Sequence, residues 1–320
     1  MKFKEGLLMR HIHVKGSNIP VTTIIKGSDY LQLSNPELAY ENIDYYLSLG
    51  GTTIDTAPIY GLGESETIIG RYLQERGNRS QINILTKGGL HSNNGAQLHE
   101  KDIINDLNES LERLQTDYID LYTLHRDDPQ LEVGYILDYL NKQIDAGRIR
   151  AIGASNWTAQ RLEEANQYAN QHGLIGFSFS SPNFSLAKAN EAFWQGVVTV
   201  SVEDEAWYHH NQLPLFSWSP LARGFFTGIY KPDVISDPHI ARVYYSDENW
   251  QRYEVCKHLA EVKGVKPIEI ALAYVVNQSF ASLAIVGART KEEIKSCIDA
   301  SYLTLTTDEI DALNLKRVLI

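Results

Sequence analysis

The feature that most constrains this chain is a rhythm. Short runs of β-branched and apolar residues alternate, without a break, with stretches whose apolar residues recur at helical spacing. The strand-like runs are Val21–Ile25, Thr52–Asp55, Ile82–Thr86, Tyr118–Leu124, Ile149–Ile152, Ile175–Phe179, Leu215–Trp218 and Leu283–Val286. Between them, Pro36 opens a helix behind Ser34-Asn35, and helices are expected over 64–75, 100–114, 133–146 and 158–172. Gly147 and Gly173 close the last two. A short helix is expected over Leu186–Phe193, while Val197–Val202 fits neither period. A long connection rich in Gly, Pro and aromatic residues follows Trp218 to about Asp247, then helices over 249–262, 267–277, 291–300 and 307–315. Ahead of all this, residues 9–19 read as a hairpin around Lys15-Gly16.

About eight strand–helix units imply a parallel sheet. In 320 residues they fit a closed (β/α)8 barrel, with residues 1–320 forming one domain. The competing doubly wound sheet needs a glycine-rich turn after its first strand. Here Val21–Ile25 is followed by Lys26-Gly27-Ser28-Asp29, and Gly61-Leu62-Gly63 has Glu66 where a third glycine would fall. The barrel is the better fit.

Composition narrows the partners. The net charge is −11 with no concentrated Lys/Arg patch, which argues against nucleic acid or an anionic membrane. Cys256 and Cys297 form no CxxC pair and read as small buried hydrophobes in a reducing compartment. No apolar run reaches spanning length, and the N-terminal residues lack a signal-peptide core, so a cytoplasmic protein is expected.

Three strands in succession end on chemistry. Thr52–Ile54 leads to Asp55, Ile82–Thr86 to Lys87, and Tyr118–Leu124 to His125. Tyr60 sits in the loop just after the first of these. Enzymes on closed parallel barrels build their sites from the C-terminal strand ends. Adjacent strands lie about 5 Å apart, so these four groups can converge. A phenol near pKa 10 is a poor acid or base at neutral pH, and an ammonium beside it should lower that value. The carboxylate keeps the lysine charged and aimed, and the histidine can hydrogen-bond a substrate carbonyl. Each residue alone reads more readily as structural; their conjunction on one face suits protonation of a carbonyl oxygen as hydride reaches the carbon.

The stretches TTIDTAPIYGLGESETIIG, ILTKGG, TDYIDLYTLHRDDP, GRIRAIGASNW, WSPLARGFFTG and AIVGARTKEEI, in this order, make the chain resemble the aldo-keto reductase superfamily from about Leu8 to Leu315. The resemblance implies a (β/α)8 TIM barrel whose base is closed by an N-terminal β-hairpin, binding NADPH/NADP+ without a Rossmann fold. It implies Tyr60 as general acid/base, Lys87 and Asp55 as its tuning pair, and His125 as the substrate-orienting residue. It places Ser155 and Asn156 at the nicotinamide carboxamide and Trp218 against the nicotinamide ring. Ser219, Leu221 and the Arg223-Gly224 turn would lie along the pyrophosphate, with Gly287, Ala288 and Arg289 at the adenosine end. Gly27, Ser28 and Asp29 would line the same mouth. Two positions depart from the family pattern. Ser181 stands where a glutamine usually holds the carboxamide, and Glu293 where an arginine often clasps the adenosine 2′-phosphate. A carboxylate repels that phosphate, so NADH stays open beside NADPH.

The implied substrate is a small carbonyl compound or its alcohol, in a pocket formed by the loops Leu90–His99, Arg126–Gln130 and Phe225–Tyr245. The implied assembly is a monomer or small homo-oligomer. Rival readings are weaker. A two-carboxylate glycosidase could recruit Asp127, Asp128 or Glu203 but leaves Tyr60 beside Lys87 unexplained. A metal site is not expected, because His11-x-His13 and His209-His210 lack partners. A cofactor-sensing regulatory subunit of the same fold would keep the cofactor residues, and remains the alternative function.

Overall fold

A computed structural model describes residues 9–16, 20–90 and 97–317. Eight parallel strands close into a barrel: β1 Ile24–Gly27, β2 Thr53–Asp55, β3 Asn83–Gly88, β4 Ile119–Leu124, β5 Ile149–Ser155, β6 Phe179–Ser181, β7 Leu215–Trp218 and β8 Ser282–Val286. They follow one another in order around the ring, and β8 pairs with both β7 and β1. The helices are α1 Pro36–Ser48, α2 Glu64–Arg76, α3 Glu100–Leu114, α4 Val133–Asp145, α5 Ala159–His172 and α6 Val202–Asn211. They continue with α7 Pro238–Tyr244, α8 Asp247–Lys263, α9 Pro267–Val276, α10 Lys291–Ser301 and α11 Thr307–Leu313. No helix among the described residues is long and apolar enough to cross a membrane.

The strand period of two sorts each strand's residues between two cores. Ile25, Leu85, Leu121, Ala151, Phe179, Phe216, Leu283 and Ile285 pack together inside the barrel. Their outward-facing neighbours, such as Ile54, Ile84, Ile152 and Val286, pack with the helices. The base is closed by an antiparallel pair, His11–Ile12 with Val21–Thr22, whose Val14 and Val21 join the inner cluster. Gly16 makes this closure possible: its φ is +94°, and a Cβ there would lie 2.3 Å from the Arg150 carbonyl oxygen.

Four local expectations are corrected. The hairpin's second strand is Val21–Thr22 and not a segment within 9–19; residues 17–19, like 91–96 of the pocket loop Leu90–His99, lie outside the described residues. Leu186–Phe193 is not helical. There the backbone is tied to α8 instead, Lys188 N–H donating to Asn249 Oδ1 at 2.9 Å and Asn249 Nδ2 to the Lys188 carbonyl at 2.7 Å. The helix after β6 starts at Val202, where Ser201 and Asp204 form a capping box. Finally, β6 is Phe179–Ser181, later than the expected Ile175–Phe179.

Candidate active site

Inside the barrel, one layer above the apolar cluster, the same alternation continues. Two residues beyond Ile25, Leu85, Phe179, Phe216 and Ile285 come Gly27, Lys87, Ser181, Trp218 and Gly287. Asp55 is level with Gly27 on one side and with Leu85 on the other. Lys87 is level with Thr123, two residues before His125. Ser155, at the end of β5, is level with Ser181. The last inward position of each strand, at or just past its C-terminal end, is thus a residue singled out from the sequence. One mouth receives all eight.

Lys87 is the hub. Its Nζ donates to Asp55 Oδ1 at 2.5 Å, to the Thr56 carbonyl at 2.9 Å and to the Tyr60 hydroxyl at 3.1 Å. The Tyr60 hydroxyl also lies 3.5 Å from Asp55 Oδ2. Tyr60 reaches inward because the chain turns sharply behind it: Gly61, Leu62 and Gly63 all adopt positive φ before α2 begins. Asp55 and Lys87 are buried and Tyr60 is half-buried. Burial raises the Asp55 carboxyl above its ordinary range against the pull of Lys87. For Lys87 burial acts downward, yet Asp55 and Tyr60 hold the ammonium above its usual value.

Lys87 pulls the phenol's pKa downward as expected, but the net shift is upward. Burial and the adjacent Asp55 carboxylate raise Tyr60 to about 12, and the opposing effect of Lys87 only limits the rise. Tyr60 therefore keeps its proton at neutral pH. His125 is buried, and burial, Lys87 and Arg126 together push its pKa well below the usual histidine value. It is a neutral imidazole.

The β5–β7 ends form a second network. Asn156, in left-handed backbone (φ 61°), donates to the His125 carbonyl at 3.1 Å and to Ser155 Oγ at 2.9 Å. Its Oδ1 accepts from Trp218 Nε1 at 3.1 Å and from Val198 N–H at 3.2 Å. Ser155 Oγ donates to the Ser181 carbonyl at 2.7 Å, and Ser181 Oγ donates to the Phe216 carbonyl at 2.8 Å. Both hydroxyls thus brace neighbouring strands. The partly exposed Trp218 is held in place by Asn156, with Trp194 5.8 Å away, centroid to centroid. Beyond it, Ser219, Ala222, Arg223 and Gly224 all take positive φ, a strained turn whose side chains include the exposed Arg223. Leu221 is half-buried in the same turn.

On the far side of the mouth, Gly27 packs closely on β8; a Cβ there would lie 3.1 Å from the Val286 carbonyl. Ser28 does not face the mouth: its buried hydroxyl bonds Ser65 Oγ at 2.6 Å, tying β1 to α2. Arg289 is exposed, with its guanidinium 5.6 Å from the Tyr30 ring centre. Glu293 Oε2 accepts the Arg289 N–H at 2.7 Å, so this carboxylate sits at the start of α10.

Sequence reasoning passed over several residues here. Lys26, the one charge in a β-branched strand, points outward, donating to the Ala288 carbonyl at 2.7 Å and to the Tyr30 hydroxyl; burial lowers its pKa to about 8. Asn183 Nδ2 holds the Trp218 carbonyl at 3.0 Å. Arg126, the first residue of the expected pocket loop Arg126–Gln130, follows His125 directly but has no role of its own in the sequence reading. The flagged Asp127 pairs with Arg161 at 3.4 Å. Among the described residues no group of three His, Cys, Asp or Glu could hold a metal ion.

The structure is a closed parallel barrel with a lysine-bridged phenol and carboxylate at its mouth. The chain belongs to the aldo/keto reductase family, whose model matches residues 23–317. It is 27% identical over 314 residues to the aldo-keto reductase YhdN of Bacillus subtilis, covering 94% of this chain and 90% of that one. It is 28% identical over 285 residues to the aryl-alcohol dehydrogenase GME11368 of Pestalotiopsis microspora, covering 87% and 72%. It is also 28% identical over 286 residues to a putative voltage-gated potassium channel subunit beta of Schizosaccharomyces pombe, covering 82% and 78%. Family membership brings a nicotinamide cofactor and small carbonyl substrates.

Proposed function

We propose that this protein is an NADPH-dependent reductase of an aldehyde or ketone, working reversibly, with Tyr60 as general acid/base. The observation that carries the reading is the Lys87 ammonium, which touches the Asp55 carboxylate and the Tyr60 hydroxyl at once. The residues present suit the cofactor. Trp218 offers a partly exposed ring at the mouth, four left-handed residues between Ser219 and Gly224 turn the backbone at the exposed Arg223, and a second exposed cation, Arg289, stands on the far side of the mouth. When bound, the nicotinamide supplies the hydride that forms the new C–H bond. Tyr60 then gives its proton to the carbonyl oxygen, which has taken the π electrons. Lys87 holds the resulting phenolate by charge, and Asp55 keeps Lys87 protonated. The neutral His125 donates one N–H to the same oxygen and fixes which face of the carbonyl is presented.

Gly27, Ser155, Asn156, Ser181, Ser219, Leu221, Arg223 and Gly287 line the cofactor's path in this reading. Arg289 is the cation for the 2′-phosphate, with Glu293 opposing it. Ser28 acts only by holding the end of β1. Ser155 and Ser181 are engaged with backbone carbonyls, so Asn156 serves mainly to orient Trp218 and His125. The alternative, a cofactor-sensing subunit, takes its support from the name of the yeast relative. The intact set of Asp55, Tyr60, Lys87 and His125 favours turnover. Oxidation of NADPH and NADH against an aldehyde panel tests the choice: tight cofactor binding with no turnover would leave only the sensor.

A further inference from the structure

Arg126 projects from the mouth directly after His125, and its guanidinium is half-buried. Among the described residues its one hydrogen bond runs from Nη1 to the His125 carbonyl at 2.9 Å, and no carboxylate pairs with it. Its acidic neighbours are committed elsewhere. Asp127 pairs with Arg161, which also reaches the Asp128 carbonyl at 3.4 Å. By contrast Arg79, Arg113, Arg150, Arg161 and Arg252, also half-buried or buried, each meet a carboxylate. Burial opposes the charged form of Arg126, and the Tyr60 oxygen supports it. Gly196 leaves the space along its stem open: a Cβ there would stop 3.6 Å from Arg126 Cδ.

A partly desolvated guanidinium without a counter-ion is expensive to keep, and a carboxylate is the group its planar donor edge fits best. We propose that the substrate's carbonyl compound carries a carboxylate, which Arg126 binds while Tyr60 and His125 hold the carbonyl oxygen. This rests on the reductase reading above and names its substrate class: an aldehyde- or keto-acid.

The test compares 4-carboxybenzaldehyde with its methyl ester, near-isosteres that differ in charge. The wild-type enzyme should show kcat/KM at least tenfold higher for the acid, mostly through KM. Arg126→Met should cut the acid-to-ester ratio by about ten- to a hundredfold, the range of a charged hydrogen bond. Arg126→Lys should restore part of it. A wild-type ratio near one, or a ratio unchanged in Arg126→Met, overturns the proposal while leaving the reductase intact. If the wild type reduces neither aldehyde, nor any member of the wider carbonyl panel, the reductase reading has failed. The same two compounds are then titrated by tryptophan fluorescence: tighter binding of the acid that Arg126→Met abolishes upholds the arginine's role, and equal binding ends it.

Discussion

Replacing Lys87 by methionine probes both the chemistry and the fold. At 3.1 Å from the Tyr60 hydroxyl, the ammonium's attraction for a phenolate is roughly 5 kcal/mol at an effective dielectric of about 20, an upper bound near four pK units. Losing even half of it raises a phenol already at about 12 beyond useful range, so alcohol oxidation at pH 8 should fall by at least about a hundredfold. The fold suffers too. Asp55 is buried, and without its partner it becomes an unpaired charge worth about 3–5 kcal/mol of destabilisation. For 320 residues that is about 4–7 °C in Tm. The sign of its pH dependence follows from the raised Asp55 pKa. A carboxyl whose folded value exceeds its unfolded one keeps its stability at low pH and loses it as pH rises through the folded value. Lys87→Met should therefore melt close to wild type near pH 4–5 and well below it at pH 8. Adding Asp55→Asn removes the stranded charge and should recover most of the Tm at pH 8 without recovering activity. Thermal melts of both variants at the two pH values, with paired kinetics, decide it. A single variant as stable as wild type at pH 8, or a double variant no better than the single, would show that the pair does not bear on the fold as argued.

Tyr60→Phe should lose about a thousandfold or more in kcat while fluorescence titration finds cofactor affinity within a few-fold of wild type, because only the proton is removed. The reduction rate should be flat from about pH 6 to 9, with no inflection near 6.5, since Tyr60 stays protonated and His125 stays neutral throughout; alcohol oxidation should instead rise with pH, because it needs the phenolate. A bell centred near neutrality for reduction would contradict both assignments. Arg289→Ala should weaken NADPH about tenfold more than NADH, measured by titration with each; equal weakening would place the 2′-phosphate elsewhere. Glu293→Gln should shift the preference the other way, toward NADPH, by removing a carboxylate from the same turn.

The barrel was legible because its strands are punctuated: each apolar run ends on a residue that breaks the pattern, and those breaks are the mouth. Asp55, Lys87 and His125 could be picked out because they are charged or polar at the end of otherwise apolar runs. Their convergence was legible too, since the strand period that buries Leu85 and Leu121 inward carries Lys87 and His125 to the same side. What the sequence could not supply was the balance of fields. Proximity of Lys87 to Tyr60 argued for an acidic phenol, but the outcome turns on burial and on the second contact to Asp55, which depend on three-dimensional distance. Ser155 and Ser181 likewise looked like ligand donors; only the structure shows their hydroxyls spent on neighbouring strands. The Leu186–Phe193 segment failed for a tertiary reason, since its helical spacing was overridden by hydrogen bonds to Asn249, some sixty residues away.

The geometry also separates two roles that proximity alone would merge. Lys87 is within reach of the phenol and the carboxylate, so it can stabilise negative charge on Tyr60 only while Asp55 does not fully neutralise it. Asp55 divides its own oxygens, Oδ1 toward the ammonium and Oδ2 toward the hydroxyl at 3.5 Å. In the resting state this arrangement favours the protonated phenol, the form that reduction needs. Oxidation needs a further positive charge at the mouth to draw the proton off, and an oxidised nicotinamide ring carries one. On the proposed reductase reading, the same three residues would serve both directions, with the cofactor's charge setting which protonation state of Tyr60 is favoured. A Tyr60 titration followed by ultraviolet difference absorbance should show the phenolate appearing at lower pH with the oxidised cofactor bound than without it. An unchanged midpoint would mean that the ring's charge does not reach the phenol, and the reversibility would need another source.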